Sequence, residues 1–192
     1  MKALAFILIN LALCFSLVAE TPRYHEQHYL TELEALEISF SNANRYETTG
    51  VTLSDAQVTE LSKKLGWKIN ESEFQLIKAF AKDNEILGYA MVLNENGKYY
   101  PITFLVAVTP EFSIKNISVM VYREKIGSNV RKKRFLKQYK GKTKDDPLMV
   151  DYDIMGISGA TISSWSIASG AKKALIMLES IINDQAESNT SI

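Results

Sequence analysis

The residues with the clearest potential for chemistry form the stretch Ser158-Gly159-Ala160-Thr161, directly before a run with helical periodicity. Gly159 allows a tight backbone turn. Thr161 then falls near the helix N-terminus, where backbone N–H groups are unpaired and the helix dipole is positive. Such a place stabilises an anionic phosphate, and the Thr161 hydroxyl can be esterified. Three nearby hydroxyls could donate to phosphate oxygens: Ser158, Ser163 and Ser164. The alternative is an ordinary helix cap, because Ser and Thr are common before helices.

The cysteine and histidine content points any redox chemistry toward an organic cofactor. Cys14 is the only cysteine and lies in the apolar N-terminal stretch, so a chain cleaved after Ala19 would contain none. Disulfides, cysteine-ligated iron–sulfur clusters and thiolate zinc sites are then excluded. The only imidazoles, His25 and His28, lie in a polar stretch that indicates solvated side chains. The sequence indicates no general base, no nucleophile and no metal site.

The N-terminus has the pattern of a secretory signal peptide. Lys2 precedes the apolar run Ala3–Val18, and Ala19 is a small residue at which a signal peptidase could cut. We therefore predict an exported protein, in the periplasm or at the outer face of the cytoplasmic membrane. An uncleaved membrane anchor is the alternative, although the run is shorter than the about 20 apolar residues of a usual span.

Composition and periodicity predict one domain of the α+β class. The chain has 192 residues, 46% of them hydrophobic, and its 22 Lys and Arg balance 22 Asp and Glu, which gives no indication of nucleic-acid binding. A capping box between Ser54 and Gln57 opens a helix over 54–66. Strands at 74–80, 86–93, 98–108 and 114–122 have short connections, which favour an antiparallel β-meander packed against helices.

A long C-terminal helix is predicted from about Ser163 to about Asn183, after the Ser-Gly-Ala-Thr loop. Its apolar stripe is expected to pack against the sheet: Trp165, Ala168, Ala171, Leu175, Leu178 and Ile182. Residues 20–50 are polar and show only a short helical stripe at Leu30, Leu33 and Leu36.

A basic run extends over Arg131–Lys140, where six of ten residues are Lys or Arg. The simplest interpretation is the solvated face of a short helix with Phe135, Leu136 and Tyr139 packed beneath. The alternatives are phosphate contact, contact with an anionic membrane surface, or docking of an acidic redox partner.

Several ordered stretches carry a resemblance to a known family. They are Gly97-Lys98, Pro101–Val108, Val121–Glu124, Arg134–Thr143, Asp146–Leu148 and Ile157–Ser164. In these stretches the chain resembles the FMN-binding domain family, from about Gly88 to Leu178. Members of that family include subunits of the sodium-pumping NADH:quinone reductase and of related electron-transport complexes, and stand-alone secreted flavoproteins.

The resemblance implies FMN as the cofactor, attached through a phosphoester bond to Thr161. In the family a flavin transferase makes this bond outside the cytoplasm from FAD, with magnesium. Glu124 matches the acidic residue that ends the strand approaching the flavin ring. Five residues are implied to form a phosphate cradle: Ser158, Gly159, Ala160, Ser163 and Ser164.

The sequence departs from the family at two places. An aspartate that the transferase reads usually stands six residues before the threonine, and here that position is Met155, with Asp153 two residues earlier. The Thr-Pro-Gly that often follows the glutamate is replaced by Lys125-Ile126-Gly127. Covalent attachment and loose binding of FMN therefore both stay open.

We predict an exported flavoprotein electron carrier, with a redox partner protein in the cell envelope. The expected organisation is a signal peptide at 1–19, a polar segment at 20–50, the FMN-binding domain at 51–183 and a polar tail at 184–192. The resemblance favours an electron-transfer protein over an enzyme with its own substrate. The alternatives are a flavin-dependent reductase of a small acceptor and an envelope module that keeps the fold without flavin.

Overall fold

A six-stranded antiparallel sheet forms the centre of the protein, in a computed structural model that describes residues 24–190. The strands are β1 (Gln27–His28), β2 (Arg45–Thr52), β3 (Glu73–Phe80), β4 (Ile86–Asn96), β5 (Pro101–Val108) and β6 (Ile114–Tyr122). Their spatial order is β1-β6-β5-β4-β3-β2, so β2 to β6 form the predicted meander and β1 is added at its edge. The predicted signal peptide at 1–19 lies outside the described residues.

Among the described residues, four α-helices accompany the sheet: α1 (Glu32–Ser39), α2 (Asp55–Leu65), α3 (Lys133–Leu136) and α4 (Thr161–Thr190). Short 3₁₀ helices at Ser128–Arg131 and Lys137–Tyr139 flank α3. The capping box of α2 is confirmed, because the Ser54 hydroxyl accepts from the Gln57 N–H and the Gln57 side chain accepts from the Ser54 N–H. The predicted α+β fold is therefore confirmed. None of the helices within residues 24–190 combines the length and apolar character needed to cross a membrane.

The sheet is covered by helices on both faces. On one face, side chains of α2 and α4 pack with Phe104, Val106 and other residues of the sheet. On the other face, α1 contributes Ala35 and Leu36 to a smaller core that includes Leu105. Strand β5 is consequently buried on both sides, which explains why it is almost continuously apolar.

The N-terminal segment contributes more structure than its sequence pattern predicts. Within 20–50, β1 pairs with β6, α1 covers one face of the sheet and β2 forms the far edge beside β3. Most of β2 is exposed, so hydrophobic periodicity is weak there and the strand is held by its hydrogen-bond ladder. The expected stripe on α1 is only partly correct, because Leu36 is buried whereas Leu33 is exposed.

The long helix α4 begins two residues earlier than predicted and continues to Thr190. Its stripe packs on the sheet as expected from Ala168 to Leu178, but the prediction for Trp165 is wrong, since 46% of this residue is exposed. Trp165 lies one turn after Thr161, on the exposed face of the first turn. Ser166 points inward instead and donates to the Asn96 carbonyl oxygen at 2.5 Å.

Two contacts fix the position of α4 on the sheet. A Cβ added at Gly170 would lie 2.4 Å from the Phe104 ring and 2.7 Å from the Glu95 side chain, so helix and sheet approach more closely than an alanine allows. Three residues further along, the buried Lys173 ammonium forms an ion pair with Glu95 at 2.6 Å. Together these contacts determine where the N-terminus of α4 lies relative to the ends of the strands.

The substitution Gly170→Ala should lower the free energy of unfolding by about 1–3 kcal/mol, because an extra methyl group overpacks the contact with the fully buried Phe104. This loss should exceed the gain of about 1 kcal/mol that alanine brings to an exposed helix position. Urea denaturation of wild type and variant measures the difference. Gly50→Ala is the matched control, because a Cβ there meets nothing within 4 Å. Equal or higher stability of Gly170→Ala would contradict the close approach.

Candidate functional site

The loop before α4 is closed by its own backbone and by a buried serine. The Ala160 N–H donates to the Ile157 carbonyl oxygen at 2.9 Å, and Gly159 has a φ of 78°, the left-handed conformation that favours glycine. The Ser164 hydroxyl donates to the Ala160 carbonyl oxygen at 2.9 Å and accepts from the Ile157 N–H at 3.3 Å. The loop is therefore held in shape from inside.

The N-terminus of α4 presents unpaired donors and an exposed hydroxyl. Thr161 is the first helical residue, and the residue before it is the buried Ala160, which has no side chain able to cap the helix. The backbone N–H groups of Thr161, Ile162 and Ser163 have no hydrogen-bond acceptor among residues 24–190. The interpretation of Thr161 as an ordinary N-cap is therefore wrong, and the positive end of a 30-residue helix stays open.

This helix end borders a cleft of about 400 Å³. The predicted residues in its wall are Glu124, Gly159, Ala160, Thr161 and Ser163. The cleft also has two cationic side chains, Lys98 and Lys125, and an apolar part made by Tyr99, Ile126 and Ile162. Its volume lies in the range of sites for small molecules and cofactors. The unpaired amides and the helix dipole suit a phosphate, the two lysines add positive charge to the cleft, and the apolar part suits an aromatic ring.

A buried tyrosine connects the two sides of this cleft. The Tyr122 hydroxyl, at the end of β6, donates to the Ile126 carbonyl oxygen at 2.6 Å. Because its single hydrogen is used there, the Ser163 hydroxyl donates to the Tyr122 oxygen, over 2.8 Å. Burial raises the pKa of Tyr122 above its usual range, so the hydroxyl stays protonated. Tyr122 was missed as a site residue, because its sequence position indicates only a strand.

Glu124 fixes the turn on the opposite wall of the cleft. One carboxylate oxygen accepts from the backbone N–H groups of Tyr99 and Tyr100, at 2.8 and 3.2 Å. Glu124 thereby joins the end of β6 to the turn between β4 and β5. The Glu124 carboxylate therefore lines the cleft and also holds in place the turn that carries Lys98 and Tyr99.

Two residues of the predicted cradle lie elsewhere. Ser164 is completely buried, and its hydroxyl is used within the loop. Ser158 is exposed but lines a second cleft, of about 570 Å³, on the other side of the loop. The structure therefore brings five of the seven predicted residues to one cleft, with Ser158 and Ser164 outside it.

The second cleft receives part of the basic run. Lys132, Arg134 and Lys137 line it together with Ser158 and Met155. The packing predicted for this run is confirmed for Phe135 and Tyr139, which are buried beneath the charged side chains.

Met155 displays its side chain to solvent from a fixed backbone. The Gln138 side chain accepts from the Met155 N–H at 2.8 Å and donates to the Met155 carbonyl oxygen at 3.2 Å. The residue itself is 74% exposed. A different side chain at position 155 would therefore be displayed in the same way, without disturbing the loop.

Asp153 is committed to the loop and does not occupy the place of the missing aspartate. Its carboxylate accepts from the Met149 N–H at 2.7 Å and the Leu148 N–H at 3.2 Å, and it pairs with the Lys142 ammonium at 2.8 Å. Burial alone would raise the pKa of Asp153, but the Lys142 ammonium and the two N–H donors bring this pKa below its usual range. Asp153 is thus an ionised structural anchor.

The fold and the cleft define an α+β domain in which an open helix N-terminus lies beside an apolar recess. Residues 97–176 match the family model described as the FMN-binding domain. This part of the chain is therefore a domain of the FMN-binding domain family, as the sequence resemblance predicts, and FMN is its cofactor.

Two relatives illustrate the similarity. The chain is 33% identical over 105 residues to a subunit of the proton-translocating ferredoxin:NAD(+) oxidoreductase complex of Clostridium ljungdahlii, a match that covers 50% of this chain and 56% of that protein. The chain thus spans little more than half the length of this relative. NqrC of Shewanella oneidensis has the same fold, with a TM-score of 0.50 and 18% identity over 71% of this chain and 81% of that one.

The substitution Tyr122→Phe should lower the free energy of unfolding by about 1–3 kcal/mol, because the Ile126 carbonyl and the buried Ser163 hydroxyl lose a hydrogen-bond partner. Amide hydrogen exchange in residues 124–127 should accelerate more than exchange in β4 and β5. Tyr152→Phe is the control, because this side chain is 77% exposed. If both variants match wild type in stability and exchange, Tyr122 does not hold the cleft together.

Proposed function

We propose that this protein is an exported flavoprotein electron carrier that holds the phosphate of FMN at the N-terminus of α4, at Thr161. The observation that carries the proposal is the convergence of the exposed Thr161 hydroxyl with three unpaired backbone N–H groups at one end of a cleft. The helix dipole and these donors stabilise a phosphate without any basic residue in direct contact.

Each part of the cleft has a separate task in this proposal. Backbone N–H groups of the first helical turn, that of Ser163 included, hold phosphate oxygens, and Lys98 and Lys125 add long-range attraction. The side chains of Tyr99, Ile126 and Ile162 provide apolar surface for the isoalloxazine ring. Glu124 and Tyr122 keep the two walls at a constant distance. FMN supplies the redox chemistry, and the protein positions the ring and tunes its potential.

The phosphate is proposed to be esterified to Thr161. In that step a bond forms between the Thr161 Oγ1 and the phosphorus of the FMN half of FAD. The P–O–P bond of FAD breaks, AMP leaves, and the hydroxyl proton passes to solvent. The exposure of Thr161 supports the proposal, because a flavin transferase must reach this hydroxyl.

Export and assembly complete the proposal. The predicted signal peptide directs the protein out of the cytoplasm, and a covalent bond to Thr161 would prevent the loss of FMN there. The similar protein from Clostridium ljungdahlii is named as a subunit of an oxidoreductase complex, which supports transfer of electrons to a redox partner in the cell envelope. The apolar recess opens to solvent beside Thr161, so a partner protein can approach the ring closely.

Intact mass of protein made with a flavin transferase should show wild type heavier than the bare chain by FMN less one water. Thr161→Ala should lack this adduct, because no hydroxyl stands at the helix N-terminus. Thr109→Ala is the matched control, because it removes a threonine hydroxyl far along the chain and should keep the adduct.

A Met155→Asp variant tests whether the flavin transferase needs an aspartate at position 155 in order to modify the Thr161 hydroxyl. The exposed position 155 should accept aspartate without loss of stability, and the modified fraction should rise severalfold if the transferase reads this position. An adduct on Thr161→Ala, or no adduct on either wild type or Met155→Asp, would contradict the covalent bond. If neither wild type nor Met155→Asp has the adduct but each binds one equivalent of FMN, the protein is still a carrier, with a noncovalently bound cofactor.

A further inference from the structure

We infer that the edge of β6 between Lys115 and Val119 binds an extended acidic segment of a partner protein as an additional strand. The surface is a groove of about 590 Å³ that is lined by part of β6 and part of the basic run. We call it the β6-edge groove. It shares no lining residue with the cleft at Thr161, so the inference is independent of the proposed function.

The central part of this strand edge is open. At one end of β6, β1 pairs with Val121 and Tyr122, and at the other end Gly141 and Lys142 form hydrogen bonds with the backbone of Ile114. Among residues 24–190, no strand pairs with Lys115–Val119 on the side facing away from β5. Alternate backbone groups of this stretch are therefore directed outward and can pair with another chain.

The groove lies along the backbone and not only along one face of the sheet. All five consecutive residues from Lys115 to Val119 line it, although successive side chains of a strand point to opposite faces. A groove that is lined both by side chains of one sheet face and by side chains of the other must lie at the edge of the strand. Five residues span about 16 Å, enough for a short strand to pair along them.

Charge determines what kind of segment fits. Five cationic side chains surround the groove: Lys115, Arg131, Lys133, Lys137 and Lys140. No acidic residue is among the described residues that line it. Its walls also contain apolar side chains, including Ile38 and Leu136. A strand with carboxylates on alternate residues and aliphatic side chains between them matches both features.

The shape of the surface favours a peptide over a membrane. A bilayer presents a broad, nearly flat array of headgroups, and cations that bind it need to lie in one plane. Here the cations come from two separate elements, β6 and the segment 131–140, and they line a groove whose wall also contains Asn116 and Ser118. A narrow extended chain can enter such a groove, whereas a flat surface contacts only its outer edges.

The full-length exported protein should bind a fluorescently labelled peptide of alternating glutamate and valine, measured by fluorescence anisotropy at low salt. Amide hydrogen exchange in residues 115–119 should slow when the peptide is bound, because the outward N–H groups gain acceptors. A peptide with lysine in place of glutamate should bind at least tenfold more weakly.

The double substitution Lys133→Glu with Lys140→Glu should reduce affinity for the acidic peptide at least tenfold. Lys63→Glu with Lys68→Glu changes the net charge equally on exposed residues outside the groove, and should bind as wild type does. Circular dichroism checks that both variants keep the fold.

Three results would overturn the inference. The first is unchanged exchange in 115–119 with the acidic peptide bound. The second is equal loss of affinity in both double variants, which would indicate net charge alone. The third is binding to phosphatidylglycerol vesicles that needs Lys133 and Lys140 while the peptide does not bind, which would assign the cations to a membrane surface.

Discussion

The hydroxyl group of Tyr122 connects the parts of this protein that have to stay together for a flavin site to exist. It joins the last residue of β6 to the Ile126 carbonyl on one wall and to Ser163 in the first turn of α4 on the other. A fully buried hydroxyl with two partners is costly to break, since the carbonyl and the serine would be left without hydrogen bonds. This contact therefore links the helix turn that carries Thr161 to the strand end that carries Glu124.

The sheet and the long helix supply the rigid frame behind that contact. Gly170 lets α4 approach Phe104, and the buried pair of Lys173 and Glu95 fixes the helix along the strand direction. Moving the helix by one residue would remove both contacts and carry Thr161 about 1.5 Å along the helix axis. A site that depends on unpaired N–H groups requires such a frame, because these donors act only at the distance set by the fold.

Much of the fold could be predicted from the sequence, because the relevant signals are local. Apolar runs with short connections indicated the strands between Phe74 and Tyr122, and the Ser54–Gln57 capping box indicated the start of α2. The stretch Ser158–Thr161 could be placed before a helix, because the residues that follow it have helical periodicity. Edge strand β2 was not predicted, because a mostly exposed strand lacks the alternation that identifies one.

The parts of the site that escaped prediction depend on contacts between distant residues. Tyr122 and Ser163 are 41 positions apart, and nothing near either of them indicates that they meet. Ser164 is buried and Trp165 is exposed, contrary to the predictions, because the sequence pattern does not indicate which side of the first helical turn faces the core. The inward role of Asp153 likewise follows from Lys142 and from backbone donors, and not from its own spacing to Thr161.

The placement of the FMN phosphate at the N-terminus of α4 is tested most directly by amide spectra of isotopically labelled protein with and without FMN. We predict that the largest changes in amide chemical shift occur at Thr161, Ile162 and Ser163, with smaller changes in residues 124–127 from the ring. Changes concentrated at Lys132, Arg134 and Ser158, with the amides of 161–163 unaffected, would instead place the phosphate in the second cleft and contradict this assignment.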